Sequence, residues 1–559
     1  MNAFFVSALL FTLAVPASCN KSSGPTDNHK PLVTLESILI KANPFTYTFI
    51  ATASDVDGDP LKYSWNFGEG TSKDGNSLEN FSYPEDKIYT VKVTVNDGKS
   101  AAVEASITIN TKTVSIVINP NEKFQIMEGF GGFGAQDVYW SNGPFTSAAY
   151  IDRLVNELGV TIIRDELPTS FEIINDNADP LVTDLTKYNL NNDISGHHKP
   201  LGARLSFFRD AKAAGVEKFI VSVWSAPPWM KTNNRIDNGT NQNSAPVYNP
   251  TPTSSSNQLR TDMYEEFAEM CAAYIKIFKQ EVGIDLYALG IQNEPRFSQS
   301  YQSTLYSGTA LRDLLKVVGK RLKNEGLTTK LFLPEDIGWL GGVEGMIKPT
   351  LDDPMARQYA DIVAVHGYDL DGVTAGSPNA QTWQTMYGWG AAYGKPLWMT
   401  ETSGFKNDWS GAMSLSKAMY TAIRHGHVSA WVFWTSSTST LDEYSLMSSA
   451  GEKSKRFFVS KNFYKFIRPG AQRIAADAAT DSKVYPLAFT HSSRQSTTLV
   501  LINDNTEPRA VKLSGSGLPS DFIQYHSSIN ENWKDNGTVK SDGILLLQPQ
   551  SVTTLYRKN

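Results

Sequence analysis

Two glutamates stand where apolar runs give way to polar residues. Glu294 ends YALGIQNE (287–294) just before Pro295, a residue that cannot donate to a sheet, and Glu401 sits near the end of PLWMTET (396–402). A lone carboxylate at such a place is usually a solvated loop residue or a helix cap. Two brought to one cleft can share the work of breaking a glycosidic bond, one protonating the leaving oxygen and the other attacking or stabilising the sugar cation. At about 5 Å apart the second carboxylate is a nucleophile and configuration is retained; at about 6.5 to 9.5 Å a water fits between and configuration inverts. The chemistry therefore depends on which elements carry the two residues.

From about residue 127 the chain alternates near-continuous apolar strands with amphipathic helices. The strand candidates are 127–134, 161–167, 218–226, 285–294, 330–336, 361–370, 396–402 and 428–437. The clearest helix is TDMYEEFAEMCAAYIKIFKQEVG (261–283), with Phe267, Met270, Cys271, Tyr274 and Phe278 on one face, Asp262 with Glu265 able to cap its start, and Gly283 after its end. Buried strands separated by helices imply a parallel sheet covered by helices, and eight of them imply a (β/α)8 TIM barrel. In such barrels chemistry collects at the C-terminal ends of the strands. Those ends carry Arg164 and Asp165, Trp224, Asn293 and Glu294, Glu335 and Asp336, His366 and Tyr368, Glu401, and Trp434. The fourth and seventh strands face each other across the mouth, so Glu294 and Glu401 can flank a substrate on the axis. Glu335 and Asp336 read more simply as caps of the following helix.

At 559 residues the chain is long enough for two or three domains. Residues 1–19 read as a signal peptide ending at Cys19, and 20–30 as a polar tether. The arrangement resembles a bacterial lipoprotein signal, which implies lipidation of Cys19 and attachment to a membrane or cell surface through that anchor alone; the alternative is an ordinary cleaved signal and a secreted or periplasmic protein. Residues 31–112 alternate on a strand period with D-G-D-P, G-E-G and N-D-G turns, as in a small separate antiparallel sandwich. Through SDVDGDPLKYSWNFGEG and YTVKVTVNDG this segment resembles a PKD domain, an immunoglobulin-like spacer. Asp55, Asp57 and Asp59 form a turn lacking the Glu of a calcium loop, since Asn66 holds the twelfth position. Strands return after residue 466. Segments 114–126 and 467–559 are expected to form a β-sandwich side domain packed on a catalytic barrel of 127–466.

Composition excludes several classes. A net charge of −6 with 19% charged residues offers neither a basic stripe for nucleic acid nor a polybasic membrane patch. No His/Cys cluster has metal spacing, His197 and His198 fall in a polar loop, and GFGGFG (129–134) has neither phosphate-loop nor dinucleotide spacing. No metal or cofactor is expected, and the chain reads as a monomer. Aromatic residues make up 11%, in keeping with a ligand such as a sugar ring.

Five motifs in order, GFGGFGAQ (129–136), WSAPPWMKTNN (224–234), LGIQNEP (289–295), LWMTE (397–401) and FIRPGAQRI (466–474), resemble glycoside hydrolase family 30, of the retaining (β/α)8 clan. The resemblance implies Glu294 as general acid/base, Glu401 as nucleophile, Asn293 on the sugar 2-hydroxyl and Arg164 on the nucleophile carboxylate. Trp224, Trp229, His366, Tyr368 and Trp434 are the residues expected to shape the sugar subsite. Bacterial glucuronoxylan-specific members carry a basic residue after the eighth strand, whereas 435–450 here has no Lys or Arg. The expected activity is endo-hydrolysis of a β-linked glycan, such as a xylan, β-1,6-glucan or β-1,6-galactan. The alternatives are an exo-acting glucosidase or xylosidase and, in another class, a non-catalytic glycan-binding surface lipoprotein.

Overall fold

The computed structural model describes residues 28–558, apart from 43–44, 71, 85, 135–146, 193–199, 244–256, 338–339 and 369–378. Cys19, the leader, and the His197–His198 pair lie outside the described residues. Two compact units divide between Lys112 and Thr113.

The smaller unit has a three-stranded sheet, Leu32–Ala42, Phe45–Ser54 and Leu78–Tyr83, and a four-stranded one, Ser72–Gly75, Lys62–Asn66, Ile88–Asn96 and Val103–Asn110. Alternate residues bury Phe49, Trp65, Tyr83, Val91 and Val93. The acidic turn is closed by its own backbone: Asp55 Oδ1 accepts from the N–H of Asp57 at 2.9 Å and of Asp59 at 3.1 Å. Lys99 pairs with Asp59 at 2.5 Å.

In the larger unit eight parallel strands close into a barrel: Gly129–Phe133, Ile162–Leu167, Lys218–Val223, Ala288–Gly290, Lys330–Ile337, Ile362–His366, Leu397–Glu401 and Ala430–Phe433. Side chains alternate between two cores. Ile162, Ile220, Ala288, Phe332, Ile362, Ala364, Trp398, Ala430 and Val432 fill the barrel, while Ile163, Val221, Leu289, Leu331, Val363, Met399 and Trp431 face the helices. The glycines of the first strand serve close approach of neighbouring chain: a Cβ on Gly131 would stand 1.9 Å from the Ile162 carbonyl oxygen, and one on Gly132 2.4 Å from Ser436 Oγ.

Helix Tyr264–Val282 buries the expected face and ends at Gly283, whose φ of 72° suits only a residue without a side-chain clash. Its start differs from expectation. A 3-10 turn over Thr261–Met263 leads in, Met263 is the N-cap, and the Asp262 carboxylate is held by Arg260 at 2.5 Å instead of capping.

Strand Val114–Ile126 leaves the barrel's first strand backwards into a nine-stranded sheet with eight C-terminal strands. It runs antiparallel to Gln472–Asp477 and parallel to Arg509–Ser514. Along Ser496–Asn503, Val500 and Ile502 pack toward the barrel, and Leu499 and Leu501 share a core with Val511, Leu513, Leu545 and Leu547 from the far end of the sheet. The sheet therefore folds over on itself, which is how one long sheet makes a sandwich.

Candidate active site

The fourth barrel strand has only three paired residues, and Glu294 lies four positions beyond it. The intervening backbone is pinned by its neighbours. The Asn293 N–H donates to the Val223 carbonyl at 2.7 Å, and the Glu294 N–H to the Glu335 carbonyl at 2.9 Å. Glu294 itself has φ 46°, in the left-handed region that side chains disfavour, so the flanking strands hold a conformation the residue would not choose.

Simple alternation would turn Glu401 outward with Leu397 and Met399. The register between the sixth and seventh strands shifts, however: Val365 pairs with Met399 and His366 with Glu401, leaving Thr400 as the extra residue. This bulge re-aims Glu401 into the barrel. A second shift, between Pro334 and Asp336, isolates Glu335 at φ 52° and turns its carboxylate inward. Glu335 and Asp336 are thus not solvated helix caps. Both are fully buried, Glu335 pairing with Arg164 Nη2 at 3.0 Å and Asp336 with Arg296.

Arg164 is the hub. Its guanidinium pairs with Glu401 through Nη1, donates to Asn293 Oδ1 at 2.7 Å and to Ser222 Oγ at 3.2 Å, and lies over the Trp224 ring at 4.7 Å. The other Glu401 oxygen accepts from the Tyr368 hydroxyl at 3.0 Å, and Ser403 Oγ lies 3.4 Å from that hydroxyl. His366 Nδ1 stands 3.1 Å from Glu294 Oε1 and 3.8 Å from Glu401 Oε1, with its Nε2 3.7 Å from Glu335. Glu294, His366 and Glu401 each present an atom within 4.8 Å of the others.

Burial would push the His366 imidazole down, but Glu401, Glu294 and Glu335 around it outweigh that and raise it to about 10. A ring that holds its proton donates from both nitrogens. Burial also raises Glu294; the hydrogen bond from His366 opposes this and the Glu401 charge adds to it, leaving the Glu294 carboxyl above its ordinary range. Against the pull of burial, Arg164 and His366 hold Glu335 below its ordinary range.

Of the residues singled out in the sequence, Arg164, Trp224, Asn293, Glu294, His366, Tyr368 and Glu401 meet in one network. Trp434 adjoins it, with its ring 6.0 Å from Trp224 and 4.3 Å from Phe133. Trp229 is the outlier: its indole N–H donates to the Glu172 carbonyl at 3.1 Å. Sequence reasoning missed Glu335 and Ser222, and also Tyr301, whose hydroxyl is raised by burial and by the charges of Glu294 and Glu401. Only the position of Glu335 at a strand end could have flagged it.

Two carboxylates with oxygens this close, one held by a buried arginine and the other raised above its ordinary range, match what retaining glycosidases use. The PKD domain family matches residues 40–110. Glucuronoxylanase XynC of Bacillus subtilis is 26% identical over 344 residues, 60% of this chain and 73% of that one. An endo-1,6-beta-D-glucanase of Aspergillus fumigatus is 32% identical over 117 residues, 21% of this chain and 23% of its own. The crystal structure of Xyn30A from Clostridium acetobutylicum, a glycoside hydrolase family 30 subfamily 8 xylanase, superposes with a TM-score of 0.62 at 25% identity, covering 80% of this chain and all of the other. The larger unit is a glycoside hydrolase, similar in fold to those of family 30. The hydrolase unit has the eight-stranded barrel and side sheet in a single chain, with the PKD domain before them. Among the described residues no helix is long and apolar enough to cross a membrane.

Proposed function

We propose that this protein is a retaining endo-β-glycanase that works by double displacement, with Glu401 as nucleophile and Glu294 as acid and then base. The observation that carries the reading is the separation of at most 4.8 Å between the nearest oxygens of the two carboxylates, which leaves no room for the intervening water of an inverting enzyme. Glu401, steadied by Arg164 and Tyr368, attacks the anomeric carbon. Glu294 gives its proton to the leaving oxygen, and then removes one from the water that hydrolyses the glycosyl-enzyme. Asn293, fixed by Arg164, offers its amide N–H to the sugar 2-hydroxyl. Trp224 and Trp434 supply apolar ring faces beside the reacting sugar.

The substrate at the cleft is a neutral β-glycan. The segment after the eighth strand holds no cation of its own, and Arg456, which reaches it, is buried among the carbonyls of Phe405, Asp442 and Ser445. The xylanase and β-1,6-glucanase relatives mark the two backbones to try first. Following product anomers by NMR on a panel of β-glycans tests the mechanism, with the β-anomer expected first; an α-anomer formed first, or full turnover by Glu401→Gln, sinks it. Lipidation of Cys19 is part of the same proposal, and a Cys19→Ala chain is expected to leave the membrane fraction.

A further inference from the structure

A second place in the hydrolase unit has the chemistry of a sugar-binding site. A cavity of about 430 Å³ opens where the helical segment Asp152–Leu158 and the FIRPG segment meet the side sheet. Lys465, Arg468 and Arg494 line it together with one carboxylate, Glu217. Arg468 and Arg494 both reach Glu217 Oε1, loosely, at 3.8 and 3.6 Å. Arg468 also donates to the Gly159 carbonyl at 2.8 Å, and Lys465 to the Asn156 carbonyl. Asp152 and Glu157 lie near Lys465, but Glu157 is shared with Lys453 at 2.7 Å and Lys461 at 3.9 Å. Burial lowers both the Lys465 ammonium and the Arg468 guanidinium; Arg468 adds to this at Lys465 while Asp152 and Glu157 oppose it, and at Arg468 Glu217 opposes it while Arg494 adds to it. A bound anion would offset both effects.

Beside the cations lies a partly exposed cluster of rings. Phe466 and Tyr556, which line the cavity, stack at 4.0 Å between centroids. Tyr525, 5.4 Å from Phe466, and Trp533, 5.9 Å from Phe466 and 4.8 Å from Tyr525, close the cluster. Half-buried rings at a cavity mouth present edges and an outer face to the C–H groups of a sugar, while forked guanidinium groups suit a carboxylate. We propose that this cavity and ring cluster form a second glycan site, for a chain bearing carboxylate groups, that is, a uronic-acid-substituted polysaccharide. Glu217 directly precedes the third barrel strand, at the opposite end from Glu294 and Glu401. The six residues of that strand separate the two levels by roughly 20 Å. The enzyme would hold a decorated region of polymer here while the cleft takes an undecorated stretch. This rests on the glycanase reading only for the use made of the bound chain.

The test is calorimetric titration of the full-length Glu401→Gln chain, in which turnover adds no heat, with a glucuronate-branched xylo-oligosaccharide, its unbranched counterpart, and inorganic phosphate. The branched sugar should bind about tenfold or more tightly than the unbranched one, and Arg494→Gln and Lys465→Gln should each weaken it about tenfold. In the otherwise wild-type chain these two substitutions should leave hydrolysis of a neutral glycan unchanged. Tyr556→Ala should weaken the branched sugar and spare any phosphate binding. Equal affinity for both sugars overturns the proposal, as does phosphate binding as tightly as the branched sugar with no effect of Tyr556→Ala. Binding lost in Trp224→Ala but kept in Arg494→Gln would put the ligand in the catalytic cleft and overturn it too. A protein that binds in this pattern but hydrolyses nothing would refute the glycanase reading alone.

Discussion

Replacing Glu401 by Gln should release the Glu294 proton at lower pH. The nearest oxygens of the two carboxylates lie within 4.8 Å. Two unit charges that far apart interact by about 3.5 kcal/mol at an effective dielectric of about 20. Part of each charge sits on the more distant oxygen, so a removal of about 3 kcal/mol, or on the order of a hundredfold in proton affinity, is the fair expectation. The sign is set by electrostatics: a neighbouring negative charge favours the neutral acid, and Gln removes it without removing the volume. The same substitution takes away the strongest of the carboxylates that raise His366, so the imidazole should also lose its proton more readily. The readout is the carbonyl-carbon NMR signal of Glu294 against pH in wild type and Glu401→Gln, assigned by its disappearance in Glu294→Gln. The comparison bears on mechanism, because a covalent glycosyl ester on Glu401 neutralises it just as Gln does, and would turn Glu294 from acid into base. A Glu294 midpoint unchanged, or moved upward, would refute the electrostatic coupling of the pair.

Glu294→Gln should slow hydrolysis of natural glycans by about 10²- to 10⁴-fold. Aryl glycosides with good leaving groups should lose far less in the first step, with azide restoring turnover as a glycosyl azide; equal losses on both substrates would argue against an acid role. Glu172→Gln should stabilise the protein more at pH 8 than at pH 5, on the order of 2 kcal/mol in denaturant titrations. Burial, with Asp176 and Glu269 beside it, raises the Glu172 carboxyl to about 9, and neither of its oxygens has a hydrogen-bond partner. A carboxyl raised on folding favours the native state at low pH, and that contribution fades as pH climbs from its unfolded value through the folded one, so the benefit of Gln should grow with pH. Deleting residues 31–112 should leave the melting temperature of the hydrolase unit within a degree or so, whereas deleting 114–126 should cost several kcal/mol, since it removes Ile116 and Ile118 from the core they share with Ile474, Val511 and Leu513 and unpairs two strands.

The barrel was legible because its strands are short apolar runs at regular intervals and their polar residues collect at one end. The limits of that legibility are physical. The fourth strand reads as ten residues, 285–294, but pairs over only Ala288–Gly290, because the apolar pattern continues through Ile291 after the backbone has left the ladder. Helix capping by Asp262 failed because Arg260, two residues away, competes for the same carboxylate. The glycines of GFGGFG match no ligand-binding pattern, and their use is to let Ile162 and Ser436 come within contact of bare backbone, a demand set by residues far off in the chain.

The active site sharpens the same point, because periodicity would have placed it wrongly. On strict alternation Glu401 faces the helices, and so does Glu335, which follows Pro334 on the fifth strand. Each is turned inward by one extra residue in a parallel ladder, at Thr400 and at Glu335 itself. Motif resemblance found Glu401 without knowing this, since a motif records the outcome of the bulge and not its cause. Glu335 had no such motif, and the helix-cap reading was the natural one for an acid at a strand end. Its burial changes how the whole centre balances. Arg164 and His366 are the basic groups at this centre, and three buried carboxylates face them: Glu335 pairs with Arg164 and lies beside His366, Glu401 does the same, and Glu294 reaches His366. Burial, with the Glu401 charge adding to it, holds Glu294 above its ordinary range even against the hydrogen bond from His366. The carboxylate that the sequence hid therefore shares the two basic groups that would otherwise serve Glu294 and Glu401 alone.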